Sequence, residues 1–212
     1  EELIGRTDLL EPRKISLSKT SKVDLSGLLK SNNNSDRSWL LHSSKAHGNG
    51  VILEDILLED KEFISAIKKH KTITRNLKIL NTDRSVCARI SGEIAHLHGN
   101  KGFKGEVNLN FKGAGGQSFG AFLLQGMNVC LIGEANDYVG KGMNGGRITV
   151  IPPLKNKDSG NQVILGNTCL YGGTGGMLFA LGRAGERFAV RNSGVNAVIE
   201  GAGDHCCEYM TG

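Results

Sequence analysis

The chain has 212 residues, 30 of them glycine and only 3 proline, with a net charge of +5 and 5% aromatic residues. Glycine at about 14% is twice its usual share, yet collagen's strict third-residue spacing and abundant proline are missing. A hydrophobic content of 39% argues against a disordered low-complexity chain, no apolar run of about 18 residues suggests a membrane span, and the modest charge lacks the basic–aromatic interleaving of a nucleic-acid surface.

The glycines divide the chain. Residues 1–85 hold Gly5, Gly27, Gly48 and Gly50, and the other 26 fall in 86–212. Residues 1–85 therefore read as a connecting segment, extended and helical by turns, that packs on an upstream domain. Its first residues, Glu1-Glu2-Leu3-Ile4, carry neither the basic nor the apolar region of a signal peptide. Ser31–Asp36 is a polar loop, and Ile4, Leu9-Leu10 and Trp39-Leu40-Leu41 are short apolar docking patches. A helical pattern runs through 51–70, with a short helix near 59–69. There Phe63, Ile64 and Ile67 share a face, and Lys68, Lys69 and Lys71 suit the negative end. From Ile73 the pattern is that of a strand.

Residues 86–212 carry a repeat. An apolar pair followed by a glycine-bearing turn recurs at Leu131–Asp137, Ala180–Glu186 and Val198–Asp204, contracted at Val163–Asn167 and weaker at Phe111–Gly116. With Gly115, Asn136, Gly166, Gly185 and Gly203 as equivalents, the offsets are 21, 30, 19 and 18. The polar insertion Pro152–Gly160 explains the long one. A period of about 20 without helical patterning predicts coils of short strands that bury their apolar faces only by stacking. The expected fold is mainly β, a right-handed parallel β-helix, with glycine supplying the positive φ of its corners. The structural positions of this repeat are Gly115, Gly116, Gly133, Asp137, Gly140, Gly142, Gly145, Gly146, Gly166, Asn167, Gly172, Gly175, Gly176, Gly185, Glu186, Gly203 and Asp204.

Several motifs imitate chemistry. Gly140–Gly145 matches G-x-G-x-x-G, but a β-branched strand and Pro152-Pro153 follow it where a dinucleotide site needs a helix. Gly116-Gln117-Ser118-Phe119-Gly120 matches the nucleophile elbow, with Asp204 and His205 in the right order downstream, but little helix follows it. The bland reading is a coil corner with a structural serine. His96, His98, His205, Cys206 and Cys207 are candidate metal ligands without metal-site spacing. Cys87, Cys130 and Cys169 read as core residues, and five cysteines without a framework suggest free thiols in a reducing compartment. Asp137, Glu186 and Asp204 recur at one repeat position, where a carboxylate can accept turn amides.

Gly116–Gly120, Gly133–Gly142, Gly185–Ser193 and Glu200–Gly212 together resemble the C-terminal glycine-repeat (GXGXG) domain of glutamate synthase. Ile4–Leu10 and Asn81–Ser85 resemble the stretch leading into it. The His205–Met210 run and the early segment are most similar to the ferredoxin-dependent type. The resemblance implies a β-helix in an oxidoreductase of ammonia assimilation that makes two glutamates from glutamine, 2-oxoglutarate and reductant. It implies FMN and a 3Fe-4S cluster in the parent enzyme, on residues upstream of this segment. No catalytic, cofactor-binding or metal residue is assigned here. The family continues past the position of Gly212, so a fragment is expected.

The expected role is structural, holding the glutaminase and synthase domains of the same chain in register. The parent's electron partner would be ferredoxin or an NAD(P)H-oxidising subunit, and its location the cytoplasm or plastid stroma. No nucleic acid and no membrane are expected as partners. The alternatives are a glycine-repeat assembly subunit such as that of formylmethanofuran dehydrogenase, and an independent Ser118 hydrolase.

Overall fold

Parallel pairing of successive strands organises most of the chain. The computed structural model describes residues 7–11, 23–30, 48, 50–153 and 159–212. The chain divides into two units, Glu1–Gly48 and Asn49–Gly212. In the first, Thr7–Leu9 forms a 3-10 turn and Ser26–Leu29 a single helical turn, α1. Asp24 Oδ1 accepts the Ser26 N–H at 2.8 Å, leading the chain into α1. Ile4, the Ser31–Asp36 loop, Trp39–Leu41 and positions 154–158 of the polar insertion lie outside the described residues.

The second unit opens with two short helices, α2 (Leu53–Glu59) and α3 (Lys61–Lys68). Asp60 separates them: its extended backbone ends α2, and its carboxylate accepts the Glu62 and Phe63 amides that begin α3. Phe63, Ala66 and Ile67 form the buried face of α3. Arg75, on strand β1 (Thr72–Ile79), donates to Asp60 and Glu62 at 2.7 Å and clamps helix to strand. This guanidinium holds the Asp60 carboxyl below the ordinary range. Helix α4 (Ala88–Gly102) follows, burying Ile90 and Ile94 and kinking at Gly99, whose φ is 71°.

The remaining strands are β2 (Glu106–Gly115), β3 (Met127–Ala135), β4 (Asn144–Ile151), β5 (Val163–Leu165), β6 (Gly175–Ala180), β7 (Arg183–Ala184) and β8 (Val195–Val198). They form one eight-stranded sheet in the order β1-β2-β3-β4-β6-β8, with β5 pairing β3 and β7 beside that path. Every pairing is parallel. Thr72 pairs with Glu106, Val107 with Met127, Asn128 with Arg147, Arg147 with Met177 and Met177 with Asn196, offsets of 34, 20, 19, 30 and 19. Constant register keeps like residues in rows. Leu109, Val129, Ile148 and Leu178 are successive partners, and each is buried in one continuous core shared with the helices.

The expected right-handed β-helix is therefore corrected. The architecture is α/β, an open parallel sheet with helices, whose strand path runs from β1 to β8 without returning on itself. Two features produce the difference. The segments after β2, β3, β5 and β7 are turns where the expected coils call for strands. Residues 88–102, inside the stretch expected to be all β, form the longest helix.

Candidate functional site

The turns following the strands are built on one backbone device. Positive φ recurs at alternate residues: Ser118, Gly120 and Phe122; Tyr138, Gly140 and Gly142; Thr168, Leu170 and Gly172; Arg187, Ala189 and Arg191; His205, Cys207 and Tyr209. This alternation lets each turn pair with the turns beside it as a strand would. Ser118 N–H donates to Asp137 O, Tyr138 to Asn167 O, Thr168 to Glu186 O and Arg187 to Asp204 O, all at 2.8–2.9 Å. In the opposite direction Gly140 donates to Phe119 O, Leu170 to Val139 O, Ala189 to Cys169 O and Cys207 to Phe188 O. Phe119, Val139, Cys169 and Phe188 all point inward and are buried. Phe119 meets Phe111 edge to face at 5.4 Å.

Side chains at the repeat position reinforce this stack. Asp137 Oδ1 accepts the Asn167 amide at 2.7 Å, and Asn167 Oδ1 accepts the Glu186 amide at 2.8 Å. Close approach explains the small residues beside them. A Cβ on Gly166 would meet Asp137, one on Gly185 would meet Asn167, and one on Gly203 would stand 2.9 Å from the Glu186 nitrogen. Gly115 and Gly116 end β2 and begin the first turn, while Asp204 opens the last. Gly133 pairs with Gly113 in the sheet, Gly145 and Gly146 lie in β4, and Gly175 and Gly176 in β6.

The residues that imitate chemistry are not brought together. Ser118 and His205 lie four turns apart in the stack, roughly 19 Å at a parallel spacing of about 4.8 Å. The His205 imidazole is engaged by Glu208 at 2.7 Å. His98 bonds Ile67 O, lies against the tilted ring of His70 and stacks on Phe103, while His96 is exposed elsewhere on α4. No group of three or more His, Cys, Asp or Glu able to hold a metal exists among the described residues. Cys87 and Cys169 are buried and free, and burial pushes the Cys169 thiol up to about 12. The G-x-G-x-x-G glycines are closed by protein: a Cβ on Gly140 would stand 2.8 Å from Leu170, and one on Gly145 2.5 Å from the Gln125 nitrogen. The described residues hold no cysteine cluster of the kind an iron–sulfur centre needs.

The outer face of the sheet is the surface that the motifs did not reveal. Along one register row stand Asn76, Asn110, Cys130, Thr149, Phe179 and Val198, and along the next Lys78, Lys112, Ile132 and Ile151. The face is thus polar on β1 and β2, whereas from β3 onward the apolar Ile132, Met177, Phe179 and Val198 stand among the polar Asn128, Arg147, Thr149 and Asn196. Ile132, Met177, Phe179 and Val198 are 40%, 39%, 37% and 58% exposed. Period-two patterning of β3 and β6 holds this signal, because apolar residues there occupy both phases.

A match to the GXGXG motif family spans residues 55–212. The whole chain is 56% identical to part of ferredoxin-dependent glutamate synthase 2 of Synechocystis sp. and 55% identical to part of the chloroplastic/mitochondrial ferredoxin-dependent glutamate synthase 1 of Arabidopsis thaliana. It is 56% identical to part of the Antithamnion sp. ferredoxin-dependent glutamate synthase. It spans only 13–14% of the length of these relatives. No helix among the described residues is long and apolar enough to cross a membrane. With this match over three quarters of its length, the chain belongs to the GXGXG motif family, in the form found in ferredoxin-dependent glutamate synthases.

Proposed function

We propose that this chain is a structural domain of a ferredoxin-dependent glutamate synthase, converting glutamine, 2-oxoglutarate and two electrons into two glutamates in ammonia assimilation. Its role is to hold the glutaminase and synthase domains in register, so that ammonia released at one reaches the other. The reacting residues, the FMN and the 3Fe-4S cluster belong to other parts of the parent enzyme. Ferredoxin, or an NAD(P)H-oxidising subunit, supplies the electrons there. Its location is the cytoplasm or the plastid stroma, and the chloroplastic relatives support the second.

The observation that carries this reading is the uncovered apolar face. Parallel sheets ordinarily have both faces covered, and here Ile132, Met177, Phe179 and Val198 stand exposed on β3, β6 and β8. Relatives about seven times longer carry ample further chain to cover such a face. The test is made in the full-length enzyme. Ile132→Glu with Phe179→Glu, and separately removal of residues 86–212, should uncouple the half-reactions: glutamine is hydrolysed, free ammonia accumulates and glutamate yield falls. Unchanged far-ultraviolet circular dichroism of the double variant identifies lost docking as the cause. Full coupling in both proteins would refute the scaffold role.

A further inference from the structure

A groove crosses the N-terminal ends of the sheet. It passes over the starts of β2, β3, β4 and β6, reaches Asn196 on β8 and encloses about 700 Å³. The residues leaving α4 close one end of it. Gly99 turns that helix at a φ of 71°, buried Phe103 packs against Gly105 and Gly126, and the Lys104 amide donates to His70 Nδ1 at 3.1 Å. These contacts fix Lys101 and Lys104 beside the starts of β2 and β3. Arg147 lines the same groove from β4, where its register partners are Asn128 and Met177. Arg75 and Arg89 each hold carboxylates elsewhere in the molecule, whereas Lys101, Lys104 and Arg147 enter no ion pair among the described residues. Glu106 is the one carboxylate among the described residues that line the groove.

We propose that this groove receives an extended acidic segment of the parent chain, from outside residues 1–212, as a clasp between domains. The inference rests on the proposed place of this chain in a longer enzyme, and it names the surface that is held and the chemistry that holds it. Charge complementarity sets the sign of the occupant: three convergent cations against one carboxylate call for Asp or Glu at more than one position. The groove sets its shape. Five strand starts in a row span four parallel spacings, about 19 Å, which about six extended residues match. The side-chain amides of Asn128 and Asn144 offer both donors and acceptors to a backbone passing over them. A single-stranded nucleic acid is the other elongated polyanion, but it stacks its bases on open aromatic rings. Phe103, the one aromatic residue of the lining, is buried.

The test is zero-length carbodiimide cross-linking of the native full-length enzyme, mapped by peptide mass spectrometry. The expected product is an amide between the Lys101 or Lys104 amine and an Asp or Glu outside residues 1–212. Arg147→Glu should lower its yield about tenfold, Arg147→Gln should lower it less, and about 1 M salt should abolish it by screening. Absence of that link, links confined to carboxylates within residues 1–212, or a yield indifferent to Arg147 and to salt overturns the proposal. Coupling of the half-reactions is measured on the same enzyme and fails separately. A link with coupling untouched in the Ile132 and Phe179 double variant and in the enzyme lacking residues 86–212 refutes the scaffold role and leaves the clasp standing. A dependence of coupling on those changes without a link refutes the clasp alone.

Discussion

Leu109 pairs with Val129 in extended strands, and Phe119 pairs with Gly140 across turns of alternating hand; the same parallel ladder runs through both regions. The strands need glycine where backbones crowd. A Cβ on Gly133 would collide with the Gly113 carbonyl. The turns hold residues in the left-handed region largely without glycine: Thr168, Leu170, Arg187, Ala189 and Arg191 all have φ near 55–60°. Such a conformation costs about 1–2 kcal/mol per L-residue. It persists because bonds to the turns on either side over-determine the backbone. Glycine in this fold thus serves close approach more than backbone inversion.

That contrast can be broken most severely in the sheet. Gly133→Ala puts a methyl group into the Gly113 carbonyl at a φ of 153°, and should cost about 3–4 kcal/mol by urea unfolding. Asp137→Ala removes the carboxylate that receives the Asn167 amide, and should cost about 1–3 kcal/mol. Thr168→Gly acts in the opposite direction. Relief of left-handed strain exceeds glycine's entropic cost, for a gain of about 0.5–1 kcal/mol that a raised urea midpoint would register. A loss there would mean that the turns are less strained than their dihedrals indicate.

The smallest effect concerns the place where the turn pattern gives way to helix. Ser85 and Cys87 begin with positive φ like the other turns, but the chain then enters α4. Buried Glu54 accepts the Arg89 and Ile90 amides there, at 3.1 and 3.2 Å on one oxygen. Burial outweighs these bonds and holds its carboxyl above the ordinary 4.5. A raised carboxyl pKa contributes stability in full below the unfolded value, and this is lost as pH rises through the folded value. Glu54→Gln keeps an oxygen for both amides. It should match wild type in acid and gain on it with rising pH, measured as unfolding midpoints across the series.

The repeat was legible because parallel register preserves sequence offset: 21, 30, 19 and 18 between glycine-bearing turns correspond to strand offsets of 20, 19, 30 and 19. The architecture was less so. A period near 20 specifies what stacks on what, and leaves open whether the intervening residues are strands or turns. Alternating hand has no residue signature when Thr, Leu, Arg and Ala all adopt it. Helix α4 was hidden by Gly92, Gly99 and an N-cap, Cys87, that makes no side-chain bond. The signal for it was Ile90, Ile94 and Leu97, at helical spacing. The outer face was equally concealed, since Met177 and Phe179 look like core residues until β6 is seen to alternate with buried Leu178 and Ala180.

The open strand path also orders the molecule in time. Each central strand has a partner on both sides, whereas β1 has only β2 and β8 only β6 on the main path. Opening at β8 breaks one ladder, and opening at β3 breaks two. Amide protons should therefore exchange with solvent faster in the outer strands, Thr72–Ile79 and Val195–Val198, than in Met127–Ala135, in a gradient set by position along the sheet. A sheet that frays from its outer strands in this way yields to proteolysis or heat one layer at a time, and anything that clasps an outer strand slows the loss of the layers behind it.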